Sequence, residues 1–226
     1  MLRIISEIQN NLSLDNIKYF PNFDYNKSCY ANMTFPEIGN IDLFNIVPAP
    51  YKNSSDETLR EIKLLSTKTQ QRTKEEIRLA EDVDENPLLL FYPVIQELKL
   101  NFNQRLFNDI YYNCLSAVID HLKYYYNRAR PFQIAKALNI HIDRIITKTH
   151  HTPSYPSGHT MYACLASEIL ISDYPQHKSK LDQLTSQAGL ARVLQGVHYP
   201  SDNTAAIKIV KTIFPNLKKY FTGERL

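Results

Sequence analysis

A chain of 226 residues can bury one sizeable core with a small appendage, but hardly two full domains. With 43% hydrophobic and 22% charged residues it is not a disordered chain, and a net charge of +3 argues against a nucleic-acid binder working by bulk electrostatics. Five glycines, with neither a GxGxxG nor a GxxxxGK(S/T) string, argue against the common nucleotide loops.

Residues 1–53 are punctuated by Pro21, Pro36, Pro48 and Pro50 with Asn-rich stretches between, which predicts an irregular arm packed on the core. A short helix is expected near Leu2–Ile8. A helical region, 54–226, should follow as one domain. Ser54 to Glu57 reads as a capping box ahead of Leu59, Ile62 and Leu65, and Thr73 to Glu76 as a second ahead of Ile77, Leu79 and Ala80. Asn86-Pro87 should start a third helix that Pro93 kinks or splits. Leu106, Ile110, Cys114, Ala117, Ile119 and Leu122 outline a long amphipathic helix over about 102–128, disturbed by Pro131. Further helices are expected from Gly158 to about Asp173, over about 179–195, and from Pro200 onward. Strand signals are almost absent, so the architecture should be an all-α bundle.

The longest apolar run, Leu88 to Ile95, is far short of the roughly 20 residues of a membrane span and contains Pro93. Arg3 and Glu7 interrupt the stretch where an export signal would need unbroken apolar residues. The chain is therefore expected to be soluble and intracellular, cytoplasmic for example. Cys29, Cys114 and Cys164 show no metal spacing and are read as small packing residues.

Three clusters carry chemistry. Residues 121–151 hold Lys123, Arg128, Arg130, Lys136, Arg144 and Lys148 against one acid, Asp143. On a continued helix Lys123 and Arg130, seven apart, would share a face and hold one anion from one side. Next, Tyr155-Pro156-Ser157-Gly158-His159-Thr160 precedes an apolar helical run. Gly158 would let a ligand approach the backbone, the first-turn amides and the Ser157 hydroxyl could seat an anion, and His159 would lie beside it. Finally, Arg192 ends one helix, Gly196 breaks it, and His198 sits before the helix carrying Asp202, four residues on. A carboxylate-oriented histidine suits a nucleophile or a metal ligand, although a structural His–Asp pair has the same spacing.

In order, Lys-x6-Arg-Pro (Lys123–Pro131), Pro-Ser-Gly-His (Pro156–His159) and Arg-x5-His-x3-Asp (Arg192–Asp202) resemble the signature of the type-2 phosphatidate phosphatase and vanadium haloperoxidase superfamily. The loop SYPSGHT looks most like the soluble class A bacterial non-specific acid phosphatases. Upstream, Pro48-Ala49-Pro50, Thr58, Glu61, Arg72-Thr73 and Ala80-Glu81-Asp82 look like the segment that precedes the signature in soluble members. One departure is Ala191, where the family usually has Ser before the third-motif arginine.

The resemblance implies a helical phosphatase fold and a phosphomonoesterase without a resident metal or other cofactor. It assigns Lys123, Arg130, Ser157, Gly158 and Arg192 to the phosphate, His198 as nucleophile, Asp202 as its orienting carboxylate, and His159 as proton donor and then base. The partner would be a small soluble phosphate ester, with no nucleic acid and no membrane span, and a homo-oligomer is allowed. The alternatives are a vanadium haloperoxidase, with vanadate bound at His198 in the same cage, and a non-catalytic anion-binding module.

Overall fold

The structure, a computed structural model, describes residues 13–146 and 149–223. The helix expected near Leu2–Ile8, and Lys148 of the basic cluster, lie outside the described residues. The rest of the arm opens with helical residues 13–15 and runs through 3-10 turns to a short helix, α1 (Leu43–Ile46), which Asp42 caps by accepting from the Phe44 amide. Its buried Ile38, Leu43, Ile46 and Val47 belong to the main core.

Helix α2 (Asp56–Gln71) buries Thr58, Ile62, Leu65 and Thr69, a stripe at three- and four-residue spacing. Its start differs from the expected box. Ser55 is the N-cap, accepting from the Thr58 amide, because Asp15 takes both the amide and the hydroxyl of Ser54. The second box is present in full: Thr73 caps Glu76, and Glu76 accepts from the Thr73 amide at the start of α3 (Lys74–Glu85).

Asn86-Pro87 opens a 3-10 turn rather than an α-helix (Pro87–Leu90), and Pro93 lies in the first turn of α4 (Tyr92–Glu97), where its missing N–H does no harm. The long amphipathic segment is three pieces in one rod: α5 (Gln104–Ile110), a π turn (Tyr111–Leu115) and α6 (Ser116–Tyr126). The rod ends at Tyr126, before the expected 128, because Asn127 takes left-handed angles (φ 44). A short α7 (Pro131–Ala137) follows.

Helix α8 (Gly158–Asp173) is the centre of the molecule, packed against α9 (Lys178–Leu194) and α10 (Pro200–Thr222). It is apolar nearly all round, burying Met161, Ala163, Cys164, Leu165, Ala166, Ile169 and Leu170, as a core helix must. In α10, Ala205, Ile209 and Ile213 are buried on one face as their spacing predicts, and Gly223 ends the helix with φ 74. Among the described residues there is no strand, only an isolated bridge between Lys18 and Arg128, and no helix is long and apolar enough to cross a membrane. Cys114 and Cys164 are buried packing residues, whereas Cys29 is exposed.

Candidate active site

The ends of four helices meet at one cleft of about 590 Å³, whose walls include Lys123, Arg130, Gly158, His159 and His198. Lys123 comes from the last turn of α6. Arg130 comes from the extended segment after Asn127, so the two cations do not share a helix face as their spacing suggested. The left-handed turn at Asn127 is held by the arm: its side chain accepts from the Phe20 amide and donates to the Phe20 carbonyl. Arg128 and Arg130, two apart in extended backbone, can then project to the same side.

His198 is buried with both ring nitrogens engaged. Nδ1 lies 3.0 Å from Asp202 Oδ2, and Nε2 lies 2.8 Å from Arg130 Nη1. A nitrogen facing a carboxylate must donate and one facing a guanidinium N–H must accept, so the proton is on Nδ1 and the Nε2 lone pair faces Arg130. Asp202 sits at the third position of α10, where Oδ2 also accepts from the Tyr199 amide and from Ser154 Oγ, while Oδ1 takes Arg128. Arg130 is fixed by donating from Nη1 to the Val197 carbonyl and from Nε to that of Thr152, and the Gln133 side chain accepts from its amide.

Arg192 reaches the cleft indirectly. It is fully buried, and Asp84, from the end of α3, accepts from its Nη1 at 2.6 Å while Thr149 Oγ1 accepts from Nη2 at 3.0 Å. Thr149 in turn donates to the same Asp84 oxygen. Arg192 Nε is buried without a hydrogen-bond partner among the described residues. The His159 ring lies 3.4 Å from the Asp84 carbonyl oxygen.

Lys123, Arg130 and Arg192 lie close enough to disfavour one another's charge, and Asp202 and Asp84 offset them only in part. Burial, then Arg130, Lys123, Arg192 and His159, hold His198 well below the usual histidine value. Burial and then Arg192 push His159 down to about 3 and Arg130 down to about 9. Lys123 is held well below the ordinary lysine value by burial and then Arg130. Each shift means the site disfavours its own positive charge, a condition that a bound anion relieves.

Ser157 and Gly158 begin α8, and no side chain caps its first turn. Gly158 lines the cleft beside Ile119 and Lys123. Ser157 does not line it. Its Oγ lies 2.8 Å from Thr160 Oγ1, which donates to Asn203 Oδ1, and Asn203 donates to the Gly189 carbonyl. With the Thr160 proton directed at Asn203, the Ser157 proton points to Thr160, so this hydroxyl organises the helix start in the structure.

Residues 106–210 match the sequence model of the PAP2 superfamily. This segment is a PAP2 superfamily domain. The PAP2 match contains Lys123, Arg130, Ser157, Gly158, His159, Arg192, His198 and Asp202. The chain is 31% identical over 96 residues to non-specific acid phosphatases of Salmonella typhimurium and of Salmonella typhi. That stretch is 42% of this chain and 38% of each relative, so the chain matches well under half the length of those curated proteins. Among solved structures, a transmembrane PAP2 type phosphatidylglycerolphosphate phosphatase from Bacillus subtilis superposes with a TM-score of 0.49 and 17% identity, over 76% of this chain and 89% of that one.

Sequence reasoning missed Asp84, Arg128, Ser154 and Thr149 as site residues. Arg128 stood in the basic cluster but outside the signature. Asp84 lay two residues beyond the resembling Ala80-Glu81-Asp82, and only folding brings α3 to Arg192.

Proposed function

We propose that this chain is a phosphomonoesterase that hydrolyses soluble phosphate esters through a phosphohistidine on His198, without a metal ion. The observation that carries the reading is the His198 ring itself: a buried, neutral imidazole with its proton on the carboxylate side and its lone pair at the cleft. Asp202 holds that tautomer and stabilises the charge that develops as the ring attacks.

The ester's phosphoryl group sits among Lys123, Arg130 and Arg192, with the uncapped α8 amides of Gly158 and His159 as further donors. Arg130 turns from the His198 lone pair to a phosphoryl oxygen, and Nε2 bonds to phosphorus as the bond to the leaving oxygen breaks. His159 supplies the proton to that oxygen. The incoming dianion offsets Arg192 and raises the His159 pKa from its low value, so substrate binding itself arms the acid. A water then attacks phosphorus, His159 takes its proton, and the phosphorus–nitrogen bond breaks to release phosphate. Phosphoryl transfer depends mostly on positioning and charge, which a cage of three cations supplies.

Hydrolysis of a panel of alkyl and aryl phosphates in EDTA, with phosphate and vanadate as inhibitors, tests this. The reading expects turnover that survives chelation and is inhibited by both oxyanions. Loss of all activity in EDTA with recovery on adding a divalent cation contradicts it, as does vanadate-dependent bromide oxidation by peroxide without ester hydrolysis.

A further inference from the structure

Behind the His198–Asp202 pair lies a second buried charge cluster that the signature does not include. Arg128 donates from Nη1 to Asp202 Oδ1 and, at 3.0 Å, to Ser201 Oγ. Its Nη2 lies 3.5 Å from Glu61 Oε2, and its guanidinium carbon sits 3.8 Å over the Tyr199 ring. Glu61, from α2, accepts from the Ser201 amide at 2.6 Å and from Ser201 Oγ at 2.9 Å, so it grips the first turn of α10 as well as the arginine. The Arg128 carbonyl accepts from the Ser154 amide, and Ser154 Oγ reaches Asp202 Oδ2. One residue thus touches Asp202 directly and, through Ser154, a second time.

We propose that Arg128, anchored by Glu61, is a positioning residue for His198: it fixes which Asp202 oxygen faces the ring and balances that carboxylate's charge. The inference rests on His198 being the nucleophile. Without Arg128, Asp202 could turn, and its whole charge would act on the ring. With Arg128 in place, Oδ1 is committed and Oδ2 is aimed at Nδ1, leaving Nε2 unprotonated toward the cleft.

The electrostatic consequence has a definite sign. His198 contacts Arg130 from the extended segment and Asp202 from α10, and the charges of Lys123 from α6, Arg192 from α9 and His159 from α8 also act on it. Asp202 also meets Arg128, while Arg128 meets Glu61 and the Tyr199 ring. Removing the Arg128 charge leaves Asp202 less compensated and makes protonated His198 easier to form. Removing the Glu61 charge leaves Arg128 to act more fully on Asp202 and makes it harder. Because activity needs Nε2 unprotonated, the acid limb of the kcat/KM profile moves to higher pH in the first case and to lower pH in the second.

The test compares pH profiles of Arg128→Met, Arg128→Lys and Glu61→Gln with the parent on 4-nitrophenyl phosphate, together with acid-labile phosphoenzyme trapped from each. Arg128→Met should lower kcat by about 100-fold through misplacement of the ring and raise the acid limb by on the order of one pH unit. Arg128→Lys should restore the limb but only part of kcat, since a lysine cannot span Asp202, Ser201 and Glu61 together. Glu61→Gln should move the limb the opposite way. Falling kcat with every limb unmoved would show Arg128 to be merely structural and overturn the proposal. If Arg128→Met does not fold, Arg128→Lys and Glu61→Gln carry the decision: equal limbs in these two and the parent overturn it. Absence of phosphohistidine in the parent would instead overturn the nucleophile reading on which it rests.

Discussion

Asp84 Oδ1 accepts a hydrogen bond from Arg192 Nη1 at 2.6 Å, so the arginine that should hold a phosphoryl oxygen already holds a carboxylate. Thr149 and Arg192 keep the Asp84 pKa low against the effect of burial, which leaves the pair charged. An entering phosphate must share Arg192 with this acid. Asp84→Asn keeps an acceptor in place and removes the negative charge. Its expected effect is tighter competitive inhibition by phosphate, about tenfold, from about 1.4 kcal/mol of relieved repulsion. An unchanged or weaker phosphate Ki contradicts that role.

Gly158 and Gly196 should respond in opposite ways to alanine. At Gly158 an added Cβ meets Ile119 Cγ2 at 3.4 Å and Lys123 Cε at 3.8 Å, ordinary contact distances. Gly158→Ala should therefore hold or raise stability, by up to about 1 kcal/mol. The methyl stands on the cleft wall, so phosphate inhibition should weaken. A drop in Tm with unchanged phosphate affinity would show the position to be structural instead.

Gly196 has φ 77, and an added Cβ would come within 2.7 Å of Ile142 Cγ2 and 3.3 Å of Arg144 Cγ. Gly196→Ala should cost about 1–3 kcal/mol in chemical denaturation. Because His198 follows two residues later and its amide donates to the Arg192 carbonyl, kcat should fall as well. Parent-like stability contradicts this account of the turn.

Stability should fall on acidification, and His159 fixes part of the window. Its folded pKa is about 3 against an ordinary value of 6.5. The unfolded chain therefore binds a proton below 6.5 that the fold does not, and stability is lost as pH drops from 6.5 toward 3. In His159→Gln this contribution vanishes. The difference in unfolding free energy between pH 7.5 and pH 4.5 should shrink by about 2.7 kcal/mol relative to the parent. Equal pH dependence in the two proteins would mean that His159 is not held neutral by its surroundings.

Periodicity made the helices legible: Ile62 and Leu65 in α2, and Ala205, Ile209 and Ile213 in α10, stand on buried faces as spaced. It failed where local chemistry was overruled from afar. Asp15 claims Ser54 and shifts a cap by one residue, and Asn127, held by Phe20, ends a helix that the apolar pattern would have continued. The π turn at Tyr111–Leu115 leaves no mark in a hydrophobic pattern, yet it places Tyr111 and Tyr112 on the cleft wall. At the site, spacing revealed the His198–Asp202 pair because four residues is a local distance. The contacts of Asp84 with Arg192 and of Glu61 with Ser201 span 108 and 140 positions, and no local spacing encodes them.

The central claim is that His198 carries the phosphoryl group and His159 handles the proton. Rapid-quench trapping of acid-labile, base-stable phosphoprotein, with 4-nitrophenyl phosphate and an alkyl phosphate, tests it most directly. The account predicts phosphoenzyme in the parent and none in His198→Ala with either ester. In His159→Ala it predicts phosphoenzyme from the nitrophenyl ester, whose leaving group needs a proton least, that persists because its hydrolysis is slow. Phosphoenzyme in His198→Ala with none in His159→Ala would reverse the two roles and contradict the account.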